Sequence, residues 1–546
     1  MRVILPAPVR QGLGFRRRGP RADNLPMQRL LLVPAFGLAL AFAQFRESGL
    51  PGLAGHLEIV TGMPARVYLF KDGRPFRLSP VDALLPLRVD LFYRERLWRR
   101  TADPKTLEIT CNEQSHFVLL AGSGAFDLPP GSYRVEAYRG TFYRPASQTF
   151  ELKPRESKRV DLQLAPIDGP REEWLAGDDH IHLTRAAEDD AVFLAWAQAE
   201  DLAVGNFLQL QRQMDAAVQY AFGRAGEARA PGYSIRPGHE SRSAFYGHVN
   251  VLGGRELIRP LSVGVEYANS PEAYPFPHVL FDQGRGIGAT VGYAHFDGSQ
   301  KHSTLLMDLA LGKIDFIEVF QFGVLKTEPW YELLNAGLRV TGIAGSDFPV
   351  PLNNRKPWPR SIPLLGPERT LVKAKAGESA YDAWAAGVRG GRVVVTNGPL
   401  LELSVAGKEP GAEISWSGGS FTAEGLARVY WHRPVDKIEI VMNGKVVAET
   451  KGAGPLTFRV PMRESSWIAA RAAAASVEDE PEIRAHTNPV YCLRDGRAVA
   501  LSEAREAVRK QWAMQAAYYR NPELPLNPEQ RRELLRKVEE AEARLR

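Results

Sequence analysis

His180 and His182 stand two residues apart after the short apolar run Trp174-Leu175-Ala176. On an extended chain, residues i and i+2 point to one face. The two imidazoles can therefore aim at a single point, and Asp178 lies on the same face. Imidazole and carboxylate together suit zinc, manganese or iron. Alone, the pattern reads as readily as a polar strand end whose rings bond to backbone, because short motif matches carry false positives. Three more stretches place a metal-type donor just past a strand-like run: Gly238-His239-Glu240, Tyr293-Ala294-His295 and Gly345-Ser346-Asp347. In α/β barrels and open parallel sheets the active site lies at the carboxyl ends of the strands. His180, His182, Glu240, His295 and Asp347, at four strand ends, form a convergent set that outweighs any one member.

The elements that must position these residues change character along the chain. Residues 53–166 carry β-branched and aromatic runs, such as 65–70, 88–93 and 117–120, separated by Gly and Pro; this pattern predicts a small β-sandwich. Over 171–400 strands alternate with helical patterns, as in 191–201, 277–284 and 330–336, which predicts α/β architecture. Residues 401–496 return to alternation, with Asn443-Gly444 as a hairpin turn, and predict a second β-sandwich. Residues 497–546 form a charged helical tail, and Glu539 to Arg546 reads as solvated helix without a function.

A chain of 546 residues exceeds one ordinary core and predicts several domains. With 44% hydrophobic and 24% charged residues the composition is that of a globular protein. The net charge of +6 is small, much of the local excess lies in the first 29 residues, and no basic stripe is interleaved with aromatics, so nucleic-acid binding is not indicated. The two cysteines, Cys111 and Cys492, have no metal-ligand spacing. Residues 1–43 read as a targeting segment, with a signal peptide over 27–43: a basic start, an apolar run from Leu30 to Ala43 and the small-x-small pattern Ala41-Phe42-Ala43. The expectation is export to the periplasm or medium, with no integral membrane span after cleavage and Met27 as an alternative initiator.

Asp-x-His-x-His (Asp178, His180, His182), Gly-x-Glu (Glu240), a lone His after a strand (His295) and Gly-Ser-Asp (Asp347) resemble the PHP-type metallohydrolases. With Gly247-His248-x-Asn250 and Thr396-Asn-Gly-Pro399 the resemblance is to the CehA/McbA-like branch, over roughly 170–400. It implies a distorted (β/α)7 PHP-type barrel, flanked here by the two sandwiches, with one or two divalent ions, zinc before manganese or iron. Two departures disfavour a third ion: Leu202 to Phe207 carries no ionisable ligand, and Phe348-Pro349 follows Asp347 where many relatives have a histidine.

The chemistry this implies is hydrolysis of an ester, carbamate or amide in a small-molecule substrate by metal-activated water. His180, His182, His295 and Asp347 would hold metal, with Glu240 a ligand or bridge. His248 would protonate the leaving group and Arg242 would clamp an anionic oxygen. Asp178 and Asn250 would orient the ligating groups from behind. Trp330, Tyr331, Trp358 and Asn397 are candidates for the pocket wall. The alternatives are a metal-dependent phosphoesterase and a non-catalytic exported binding protein with a structural metal.

Overall fold

In the computed structural model the described residues are 52–88, 97, 103–111, 114–212, 215–243, 246–263, 274–296, 303–350, 363–374, 379–476 and 481–545. The expected targeting segment and Trp358 lie outside them.

Two sheets form the first β region. Gly55–Val60 pairs with Ser123–Leu128 and Ser157–Asp161, while Ala65–Lys71, Gln114–Leu119 and Gly131–Tyr138 lie in the other sheet. Period-two alternation places Tyr133, Val135 and Ala137 inward, against Leu57, Ile59, Val67, Phe117 and Phe126. Part of the second sheet, including Leu107, Ile109, Cys111 and Val118, shares a second core with Phe193 and Trp196 of the helix Asp190–Ala199. A buried ion pair, Arg66 Nε to Glu200 Oε1 at 2.8 Å, crosses the same contact.

The site is carried by a mixed sheet. Trp174–Ile181, Val204–Arg212 and Tyr233–Ser243 run parallel. Val249–Leu252 is antiparallel to Tyr233–Ser243 and to Thr290–Tyr293. Phe316–Gln321 and Thr341–Ala344 follow in parallel. Beyond the other edge of Trp174–Ile181 come Arg369–Lys373, Val393–Thr396 and Ile483–Thr487, all antiparallel.

The expected (β/α)7 barrel is therefore not the fold. Strand, at 42%, outweighs helix, at 21%, and the sheet mixes both directions. The physical reason lies between Val204 and Leu252. There the chain returns by hairpins, Asp215–Ala217 on Val204–Arg212 and Ala228–Ala230 on Tyr233–Ser243, where a barrel repeat needs a crossover helix. An antiparallel partner needs only a turn, and the positive-φ residue Gly232 falls in the second of these connections.

Strand pairing crosses residue 400. Ile483–Thr487 and Ser466–Ala474 continue the central sheet, and a separate three-stranded sheet of Leu400–Val405, Phe421–Tyr430 and Leu456–Met462 accompanies it. Leu401, Leu403 and Phe458 bury in one cluster with Ile438, Ile440 and Ala472. Asn443-Gly444 makes the expected hairpin turn, with φ of 51° and 85°.

The tail is not a solvated appendage. In the helices Ser502–Tyr519 and Pro528–Leu545, Val508, Trp512, Tyr519, Leu534, Val538, Ala541 and Leu545 are buried in the core that holds Phe316 and Trp330. The apolar spacing 534, 538, 541, 545 is a single helical face that the charged composition masks. No helix among the described residues is long and apolar enough to cross a membrane.

Candidate metal centre

The two histidines of Trp174–Ile181 and its extension are fully buried. His180 Nε2 and His182 Nε2 lie 3.0 Å apart. Asp347 arrives from the loop after Thr341–Ala344. Phe348 N–H donates to His180 O at 3.1 Å and His182 N–H donates to Phe348 O at 2.7 Å, so that loop runs as a short extra strand beside the histidines. Gly345 is required at the approach: a Cβ there would stand 2.2 Å from Asp179 Oδ1. Asp178 fastens the junction. Its carboxylate accepts from His180 N–H (3.0 Å), Ser346 N–H (3.0 Å), Ser346 Oγ (2.6 Å) and Gly366 N–H (2.8 Å). Asp178 thus braces backbone, in place of the expected contact with a ligating imidazole.

Glu240 on Tyr233–Ser243 and His295 after Thr290–Tyr293 complete the cluster. Asp347 Oδ1 is 3.3 Å from His180 Nε2 and 3.4 Å from His182 Nε2. Glu240 Oε2 is 3.3 Å from His182 Nε2. The second oxygens face His295 Nε2: Glu240 Oε1 and Asp347 Oδ2 both stand at 3.7 Å. Donors about 2.0–2.1 Å from one ion are separated by roughly 2.9 Å along an octahedral edge and roughly 3.4 Å along a tetrahedral one. The spacings among His180, His182 and Asp347 fit a single coordination polyhedron. Two triads, His180–His182–Asp347 and His180–Glu240–His295, meet the geometric requirement for holding an ion. All five sequence-derived ligand candidates are therefore brought together.

Ring tautomers agree with this. His182 Nδ1 faces Leu208 O at 3.1 Å and His295 Nδ1 faces Gln321 Oε1 at 2.6 Å. Both acceptors require N–H at Nδ1, which leaves each Nε2 lone pair directed at the cluster. Both oxygens of Glu240 are buried without a hydrogen bond; His248 Nδ1 comes within 2.8 Å of Oε1 but without hydrogen-bond geometry. A buried carboxylate in this state needs positive charge beside it, and Arg242 Nε, 3.7 Å from Oε2, supplies one such charge. Facing charges shift the donors in opposite directions. Burial lowers the pKa of His180, yet Glu318 and Asp347 outweigh it and hold the ring well above its ordinary value. Burial raises that of Glu240, yet Arg242 and His248 outweigh it and hold the carboxyl well below.

The exposed side of the cluster is defined by side chains at 16% (His295), 13% (His248) and 12% (Arg242) exposure, against 0% for His180 and His182. Arg242 Nε is 3.7 Å from Glu240 Oε2. Burial pulls the His248 pKa to about 4. Asn250 lies behind His180, with Nδ2 3.0 Å from Glu318 Oε1. His239, next to Glu240, is buried and belongs to neither triad.

The backbone is strained at this place. His295, Phe322 and Asp347 are non-glycine residues with φ of 52°, 52° and 51°. Phe322 and Gly323 form the two-residue turn between Phe316–Gln321 and Val324–Leu325, and the Phe322 ring stacks on His295 with centroids 5.9 Å apart.

Sequence reasoning missed Glu318, Gln321, Asp179 and Phe322. The one legible signal was Glu318, a lone carboxylate in the apolar strand Phe316-Ile317-Glu318-Val319-Phe320. Conversely, Trp330 and Tyr331 are core residues: Trp330 Nε1 donates to Val340 O, and Tyr331 OH pairs with His486. Asn397 bonds to the backbone of Glu482 and Arg484.

No family model matches the chain, and no curated protein matches it. Among solved structures, PsfC from Pseudomonas syringae PB-5123 aligns over 38% of this chain and 87% of its own, at 18% identity and a TM-score of 0.26. A likeness that low carries no argument about fold or function.

Proposed function

We propose that the chain is a metal-dependent hydrolase acting on an ester, carbamate or amide bond. The observation that carries this reading is the convergence of His180, His182, Glu240, His295 and Asp347, each with a donor atom 3.0–3.7 Å from at least one of the others, closed behind and open on one side. A structural site saturates its ion with protein donors and needs no approach, whereas a catalytic one keeps an open position. The exposure of His248, Arg242 and His295 supports the second. One or two divalent ions held by these donors would lower the pKa of water from about 15.7 towards about 7 and polarise the scissile carbonyl. His248, beside Glu240 on the open side, is placed to carry a proton to or from the substrate. Arg242, on the same side, is placed to hold a substrate oxygen. The apolar leader over 27–43 supports export.

The test is metal content of the purified protein, followed by hydrolysis of aryl ester, carbamate, amide and phosphoester panels with and without chelator. The expected outcome is stoichiometric zinc, manganese or iron and chelator-sensitive cleavage of one of the first three classes. A folded protein that binds no divalent ion sinks the proposal. One that binds metal and cleaves only phosphoesters replaces it by a phosphoesterase, and one that cleaves nothing leaves a binding protein.

A further inference from the structure

Glu318 touches both halves of the donor cluster without facing the open side. Its Oε1 is 2.7 Å from His180 Nδ1 and 3.0 Å from Asn250 Nδ2. Its Oε2 accepts the backbone N–H of His295 at 2.8 Å. The side chain is fully buried. We infer that Glu318 is the positioning residue of the metal centre, fixing His180 through its ring and His295 through its backbone from a single carboxylate. This rests on the metal-binding reading above and adds to it the residue that holds two of its donors at once.

Three physical points carry the inference. A carboxylate facing Nδ1 requires N–H there, so His180 presents its Nε2 lone pair to His182, Glu240 and Asp347; carboxylate–histidine–metal relays work in this way. The His295 backbone sits at φ 52°, a region that a non-glycine residue occupies only when its surroundings over-determine it. The bond from its N–H to Glu318 Oε2 is such a restraint, and Gln321 Oε1, three residues along the same strand, holds its ring at Nδ1. Finally, Phe316–Gln321 is a central strand, paired on one side with Thr290–Tyr293 and on the other with Thr341–Ala344, so the carboxylate is delivered on a rigid element.

The geometry makes a sharp distinction between substitutions. In Glu318→Gln the amide has one acceptor atom and one donor group. It can accept from His180 Nδ1–H only by turning its NH2 towards the N–H of His295, and the reverse orientation opposes the His180 N–H. Either way one of the two donors, His180 or His295, loses its support. The experiment is zinc affinity by chelator competition on the full chain, with the visible spectrum of the cobalt(II)-loaded protein and a thermal melt. Expected are zinc binding about 10- to 100-fold weaker in Glu318→Gln and an altered cobalt spectrum, with the metal-free melt close to wild type. Asn250→Ala, which removes one neighbour of Glu318 and leaves the carboxylate, is the second variant should the first not fold; it should weaken zinc several-fold. Zinc affinity and cobalt spectrum unchanged in the variants, with the wild type binding tightly, would overturn the positioning role alone. A wild-type chain that binds neither ion overturns the metal reading and this inference with it.

Discussion

Each residue of the donor cluster has a distinguishable cost when removed. His182 contributes one donor and faces Leu208 O with its other ring nitrogen. His182→Ala should lower zinc affinity by more than the roughly 10–100-fold that loss of a supporting residue costs, and should abolish chelator-sensitive hydrolysis. Metal content and activity both at wild-type levels would remove His182 from the site. Phe322 gives a prediction of the opposite sign for stability. It occupies the first position of a two-residue hairpin turn at φ 52°, where Asn or Gly is preferred, and it joins none of the hydrophobic clusters. Phe322→Asn should therefore melt at or above wild type, gaining about 1 kcal/mol from relief of backbone strain. Its hydrolytic rate should fall, because the ring against His295 is lost. A melting temperature clearly below wild type would show that the ring is needed for packing.

At the scale of elements, the short helix Leu305–Ala310 carries a buried acid that should leave a mark on stability. Asp308 Oδ2 accepts from Tyr293 OH at 2.5 Å and Thr304 Oγ1 at 2.6 Å, while Oδ1 is buried without a partner. Burial pushes its pKa from 3.8 up to about 7, against the two hydroxyl bonds. The folded state thus keeps a proton that the unfolded chain releases between about pH 4 and pH 7. Stability is fully retained below the unfolded value and falls as pH rises through the folded one, by a few kcal/mol on the order of 1.4 kcal/mol per pH unit. Urea unfolding of Asp308→Asn at pH 4.5 to 8 should lack this component, so the variant should gain on wild type as pH rises; parallel curves would show that Asp308 ionises normally.

At the scale of the whole molecule, the carboxy-terminal helices are part of the central core. Trp512, Tyr519, Val508, Leu534 and Val538 are buried there, each side chain worth about 1.5–3 kcal/mol. Their sum is comparable to a typical total stability of about 5–15 kcal/mol. A chain ending before Ser502 should lose cooperative urea unfolding or fail to remain soluble; an intact transition near the wild-type midpoint would make the tail dispensable.

The sequence by itself determined the local features. The near-strand-end positions of His180, His182, His295 and Asp347 were legible because donor type and the two-residue period are properties of a few adjacent residues, whereas Glu240, expected at a strand end, lies inside Tyr233–Ser243. The Asn443-Gly444 turn was legible for the same reason. What only the tertiary structure decided was which strands pair and in which direction, because periodicity is blind to direction: runs such as Val249–Leu252 read identically in a parallel or an antiparallel neighbour. The residue pattern gave α/β architecture, the barrel came from the family resemblance alone, and a mixed sheet is found. The same blindness hid Glu318 and the buried face of the tail. A carboxylate or a charged helix declares its partners only when elements more than a hundred residues apart, such as Phe316–Gln321 and Trp174–Ile181, are brought to one place.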